Sequence, residues 1–124
     1  MKWLLTLLFI ALMSACELSE DNSKTYQIEE IDELYSEIIS LSESIACTNS
    51  SDWTFTPMGS KACGGPTHFI AYHQDVAEEI LDLVEQYTKL QAEYNRKHNI
   101  ISDCALLAGP KSVSCEGGKP ILVY

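Results

Sequence analysis

Positive charge is scarce in this chain. Eight Lys and Arg stand against eighteen Asp and Glu, for a formal net charge of −10, and a surface that acidic repels phosphate backbones and anionic lipid heads alike. No nucleic-acid partner is expected, and attachment to a membrane has to come from something other than charge. Long apolar runs are missing as well: the longest, Trp3 to Met13, falls short of the roughly 20 residues that cross a bilayer as a helix. Signatures of catalysis are absent. The sequence holds no HExxH, nucleophile elbow, Walker loop or dinucleotide fingerprint. Gly109-Pro110-Lys111-Ser112 echoes the end of a phosphate loop but lacks its upstream glycine, and reads as a turn. Three scattered histidines offer no triad, so no catalytic residue, no cofactor and no enzymatic activity are expected.

What is present begins at the amino terminus. Lys2, the apolar run, and then the small residues Ser14 and Ala15 follow the order of a secretory signal peptide. The ending Met13-Ser14-Ala15-Cys16 resembles the lipobox of bacterial lipoproteins. That resemblance implies cleavage before Cys16 and a diacylglyceryl group on its thiol; the plainer alternative is an ordinary signal cut at Ala15. Five cysteines leave one without a partner, and a stray thiol in an oxidising compartment invites wrong disulfides. Lipidation of Cys16 removes it. Several acyl chains anchor far more firmly than one, so the membrane is a partner through this lipid.

Cutting before Cys16 leaves 109 residues, enough for one domain with a modest core. The expected organisation is a signal peptide over 1–15, a lipidated cysteine with an acidic tether over 16–25, and one disulfide-bonded globular domain over 26–124. Glu17 to Thr25 shows no apolar periodicity and reads as solvated chain. Acidic residues just after the cysteine also resemble the surface-export signals of Bacteroidetes lipoproteins. The implied location is therefore the envelope, at the outer membrane, on its periplasmic face or at the cell surface.

From Tyr26 to Ala46 the residues Ile28, Ile31, Leu34, Tyr35, Ile38, Leu41 and Ile45 recur at three- and four-residue steps, which predicts an amphipathic helix. Val76, Ile80, Leu83, Val84, Tyr87, Leu90 and Tyr94 predict a second, from about Val76 to His98. Asp75 with Glu78 resembles a capping box at its start, and Arg96, Lys97 and His98 suit the negative end of the helix dipole. The alternating Trp53 and Phe55 suggest a short strand, and the β-prone tail Pro120 to Tyr124 is expected to pair with it. The fold class expected is α+β, mainly α, with two helices packed antiparallel, a disulfide-tethered loop and a short C-terminal β segment.

Cys47, Cys63, Cys104 and Cys115 should form two disulfides, and four cysteines allow three connectivities. Antiparallel helices favour Cys47 with Cys63 and Cys104 with Cys115, one bridge at each end of the bundle. Crossed pairings follow if the tail folds back to the first loop. Cys63, His68 and His73 carry zinc-type donors at five-residue spacing, but this is not a finger spacing and the sulfur has a competing use; no metal is expected.

The densest feature is Asp52 to His73, where aromatic residues crowd between turn-forming glycines. A rigid loop carrying amphipathic anchors at low entropic cost is what binding requires, and Trp53, Met58, Lys61, His68 and Tyr72 are the candidate binding residues. The same aromatics alternatively roof an open helix pair. Trp53, the run Pro57-x-Gly59-x-Lys61-x-Cys63-Gly64-Gly65-Pro66, Ser102-Asp103-Cys104 and Cys115-x-x-Gly118-Lys119-Pro120 resemble a group of small uncharacterised bacterial lipoproteins and secreted proteins. That resemblance implies a real exported domain and no catalytic residues. The reading is a lipid-anchored envelope module that binds an unidentified envelope or extracellular protein, with inhibition as one form of that binding. Its rivals are a small envelope hydrolase, which needs a histidine and an acid in one cleft, and a purely structural lipoprotein.

Overall fold

The computed structural model describes residues 17–124; the expected signal peptide over 1–15 and the expected lipidation of Cys16 lie outside them. The chain divides into two compact units, Met1–Glu30 and Ile31–Tyr124. Helix α1 runs Glu17–Ser42 and begins in the first unit, where Tyr26 is two-thirds exposed. The segment expected as a tether, Glu17 to Thr25, is thus helical. No glycine or proline interrupts residues 17–42, and extending an existing helix costs far less than starting one. Nine residues that would span on the order of 30 Å extended cover about 13 Å as helix.

In the second unit the elements follow as β1 (Trp53–Met58), β2 (His68–His73), helix α2 (Ala77–Lys97), β3 (Ser112–Glu116) and β4 (Lys119–Val123). The fold is α+β, with two helices, two small antiparallel sheets and two disulfides. β1 and β2 form a hairpin in the register Trp53 opposite His73 through Met58 opposite His68. The C-terminal tail does not pair with β1, as its β propensity alone suggested. It folds on its own neighbour: β3 and β4 close around Gly117 and Gly118, both at positive φ (57° and 77°), with Glu116 opposite Lys119. Two positive-φ residues are what a tight two-residue hairpin turn demands. The hairpins pack together without merging, β3 beside β1 and β4 beside β2.

The apolar stripes supply the core in part: of the α1 stripe only Ile38 is fully buried, while Ile28 and Tyr35 are each 40% exposed. Ile38 of α1, Met58 and Tyr72 of the first hairpin, and Ile80, Val84 and Tyr87 of α2 form one buried cluster, flanked by Ile31, Leu34, Leu41 and Leu83. Burial pushes the Tyr87 phenol up, helped by Tyr35 and Asp32. A second cluster joins Cys47, Trp53, Ala71 and Val113. α1 stops at Ser42, whose hydroxyl donates to the Ala71 carbonyl at 2.6 Å. The expected capping box at α2 does not form: Asp75 lies in a 3-10 turn, Gln74–Val76, ahead of the helix, and its N–H donates to His73 Nδ1 at 3.1 Å. At the other end Arg96 and Lys97 occupy the last turn as expected, and Asn99 at φ 50° ends the helix with Ile100 N–H on the Asn95 carbonyl.

The disulfides join Cys47 to Cys115 and Cys63 to Cys104, not Cys47 to Cys63 and Cys104 to Cys115. The β3–β4 hairpin explains the difference. Its turn accepts the Cys47 N–H on the Gly118 carbonyl at 2.8 Å and carries Cys115 to the end of α1. Cys63, on the loop between β1 and β2, is left to face the segment after α2.

Candidate functional site

The loop between β1 and β2 leaves the core at Gly59. Its φ is +81°, and a Cβ there would sit 2.0 Å from Thr67 Oγ1 and 2.6 Å from Gln91 Oε1, so the turn has no room for a side chain. The loop is tied to α2 by three bonds: Gly59 N–H to Thr88 Oγ1 at 3.0 Å, Ser60 N–H to Gln91 Oε1 at 2.6 Å, and Asn95 Nδ2 to the Ser60 carbonyl at 2.7 Å. Reciprocal backbone bonds between Lys61 and Gly64–Gly65 shape its tip.

The tip holds a third segment. Cys63 is bonded to Cys104 and its N–H donates to Ser102 Oγ at 3.1 Å. Lys61 Nζ donates to Asp103 Oδ1 at 2.9 Å and to the Ala105 carbonyl at 3.0 Å. Asp103 Oδ1 also accepts the Ala105 N–H at 3.1 Å, and Lys61 with that N–H holds the Asp103 carboxyl below its usual range. From Ile100 to Pro110 the chain forms no helix, strand, turn or bend. This strap exposes Ile101 at 93% and Leu106 at 95% of their surface. A cavity of about 510 Å³ opens where loop and helix meet, lined by Lys61, Asn95, Arg96 and Asn99 among others.

The five candidate binding residues separate. Met58, Trp53 and Tyr72 are buried, at 0, 6 and 8% exposure, and belong to the two core clusters. Met58 and Tyr72 pack against residues of both helices, and Trp53 packs with Ala71 and Val113 between the two hairpins. Lys61 braces the strap, its side chain only 17% exposed. His68 is half-buried, with its ring 5.6 Å from Tyr35 and 6.3 Å from Tyr87. Its Nδ1 meets Thr67 Oγ1 at 2.8 Å, its Nε2 has no partner among the described residues, and burial lowers its pKa. Of the five, Lys61 lies on the loop and His68 stands beside it with a side chain that is not fully buried, while of the strap only Ser102-Asp103-Cys104 belongs to the sequence pattern. The strap's signal was apolar residues in Ile100 to Pro110 that fit neither a helical nor a strand period.

The zinc set does not assemble. Cys63 is spent on Cys104, and His68 and His73 lie at opposite ends of β2, five residues apart and so roughly 17 Å along a strand and on opposite faces. No family model, no curated protein and no solved structure matches the chain.

Proposed function

We propose that the chain is an exported, lipid-anchored envelope protein that acts by binding another protein through the braced strap and the β1–β2 loop. The observation that carries this reading is the disulfide framework: all four cysteines after Cys16 are paired, as an oxidising, exported location favours. The lipobox-like Met13-Ser14-Ala15-Cys16 supports the anchor, and among the described residues no helix is long and apolar enough to cross a membrane. Within this reading the helices run antiparallel. Tyr35 lies beside His68 and 6.0 Å from Tyr87 while Ser42 bonds Ala71, so α1 follows β2, and α2 returns along β1 to Gly59 and Ser60.

Intact mass of protein from its own host membranes, before and after reduction, tests the reading. Two bridges and an acylated Cys16 are expected; free thiols or an unacylated amino terminus contradict it. A hydrolase is the second reading, favoured by His73 Nδ1 lying 3.5 Å from Asp75 Oδ2. It ranks below because that nitrogen already accepts the Asp75 N–H at 3.1 Å, a local cap.

A further inference from the structure

We infer that the strap is a substrate-like loop that occupies the cleft of a serine endopeptidase with an apolar specificity pocket, presenting Leu106 to that pocket. The inference rests on the binding reading above and names the partner.

Four observations carry it. First, the segment is extended and unpaired: no backbone–backbone hydrogen bond among the described residues involves residues 101–110. Endopeptidase clefts bind extended chain through its main-chain groups, as sheet edges do, and along the strap only Ala105 has its main-chain groups engaged, by Asp103 and Lys61. Second, Leu106 stands 95% exposed, an aliphatic side chain with no contact to lose on entering a pocket. Third, the strap is braced on both sides of that residue. Cys104, Asp103 and Ala105 are held from the amino-terminal side by Cys63 and Lys61. On the carboxy-terminal side Gly109 approaches the Phe69 ring and Pro110 is buried. Bracing removes the ordering cost that a flexible peptide pays on binding. Fourth, charge agrees. Asp103 is the one charged residue from Asn99 to Pro110, and it is neutralised by Lys61, so the contact segment is neutral while the strongly acidic body steers a basic partner.

The disulfides also determine what cleavage would do. Attack of the protease hydroxyl on the Leu106 carbonyl forms an ester as the bond to Leu107 N breaks, the hydroxyl proton passing through the protease's base to the leaving amine. Water then hydrolyses the ester to a Leu106 carboxylate. Residues 107–124 stay joined to the body through Cys115–Cys47 and the pairing of β3 with β4. The new amine therefore remains beside the acyl carbon and can reverse the reaction. Such a chain is held and resealed where a linear peptide is released.

The test titrates the full, oxidised chain into α-chymotrypsin and subtilisin, two unrelated folds with the same catalytic logic, with residual turnover of a leucyl chromogenic peptide as the readout. Near-stoichiometric loss of activity is expected. Any cut should lie at Leu106–Leu107, with the pieces separating only after reduction. Leu106→Lys, at an exposed position that leaves the fold intact, should weaken that inhibition at least about 100-fold and create inhibition of trypsin. Ile101→Ser should leave inhibition within about threefold, as expected of residues outside a hot spot. No inhibition, rapid degradation, or inhibition that Leu106→Lys leaves unchanged overturns the inference. If the immobilised chain captures envelope or host protein equally well with Leu106→Lys, the binding reading stands and this one falls; capture of nothing and inhibition of nothing sink both.

Discussion

The β1–β2 hairpin and the strap are bolted together at Cys63–Cys104, yet they use apolar side chains in opposite ways. The hairpin hides them: Met58, Trp53 and Tyr72 are all less than a tenth exposed. The strap displays them, with Ile101 and Leu106 almost wholly in water. In a protein this small, aromatic density marks the place where core is scarce, because large rings supply the most buried area per residue. Exposed aliphatic residues on chain with no ladder of its own are the better sign of a contact surface.

That contrast can be broken most forcefully at the sulfurs. Replacing Cys47 and Cys115 by Ser releases a bridge between residues 68 apart. It is expected to cost about 4 kcal/mol in the chain-entropy model, a large part of a small domain's stability. The Cys63→Ser/Cys104→Ser pair should cost less, about 2 kcal/mol, because the freed strap regains motion in the folded state as well. Urea midpoints of the two double variants check the order; equal losses would mean that the strap is as much part of the core as the hairpin.

Within the hairpin, Met58→Ala empties a site with no exposed surface among Ile38, Ile80, Val84 and Tyr87, for an expected loss of about 3 kcal/mol by chemical denaturation. A loss below ~1 kcal/mol would return Met58 to the surface that its neighbouring turn suggested.

These positions also show what was legible beforehand. Both helices could be read from their stripes, because Ile31, Leu34, Ile38 and Leu41 in one, and Ile80, Val84 and Tyr87 in the other, recur at a helical period. The β3–β4 hairpin was legible in principle from Gly117-Gly118 between two β-prone runs. The β-prone terminal run taken without its neighbour points to β1 instead, and the expected disulfide pairing fails with it, since the β3–β4 hairpin delivers Cys115 to Cys47. The strap was not legible, because periodicity reports buried faces and a segment that buries almost nothing has no period. Trp53 and Tyr72 misled for a related reason: sequence marks a residue as amphipathic without saying which part meets water.

The smallest expected effect sits at the seam between loop and core. His68 is partly buried against Tyr35 and Tyr87, with Thr67 on Nδ1 and no acid among its ring contacts, and burial lowers its pKa from 6.5. The unfolded chain therefore takes up a proton that the folded one resists. The stability tied to the neutral ring is complete above about pH 6.5 and is lost as pH falls through the lower folded value. His68→Phe should flatten that part of the stability-against-pH curve. An unchanged slope would show that the ring is already solvated.

Amide hydrogen exchange on the native, oxidised chain tests most directly the claim that hairpin and strap are core and contact surface. The amides hydrogen-bonded across the registers of 53–58 and 68–73 should exchange only through global unfolding, while those of 101–109, Ala105 apart, exchange orders of magnitude faster. Equal protection in the two segments would contradict it, because the strap would then have a ladder or a cover of its own and nothing free to offer a partner.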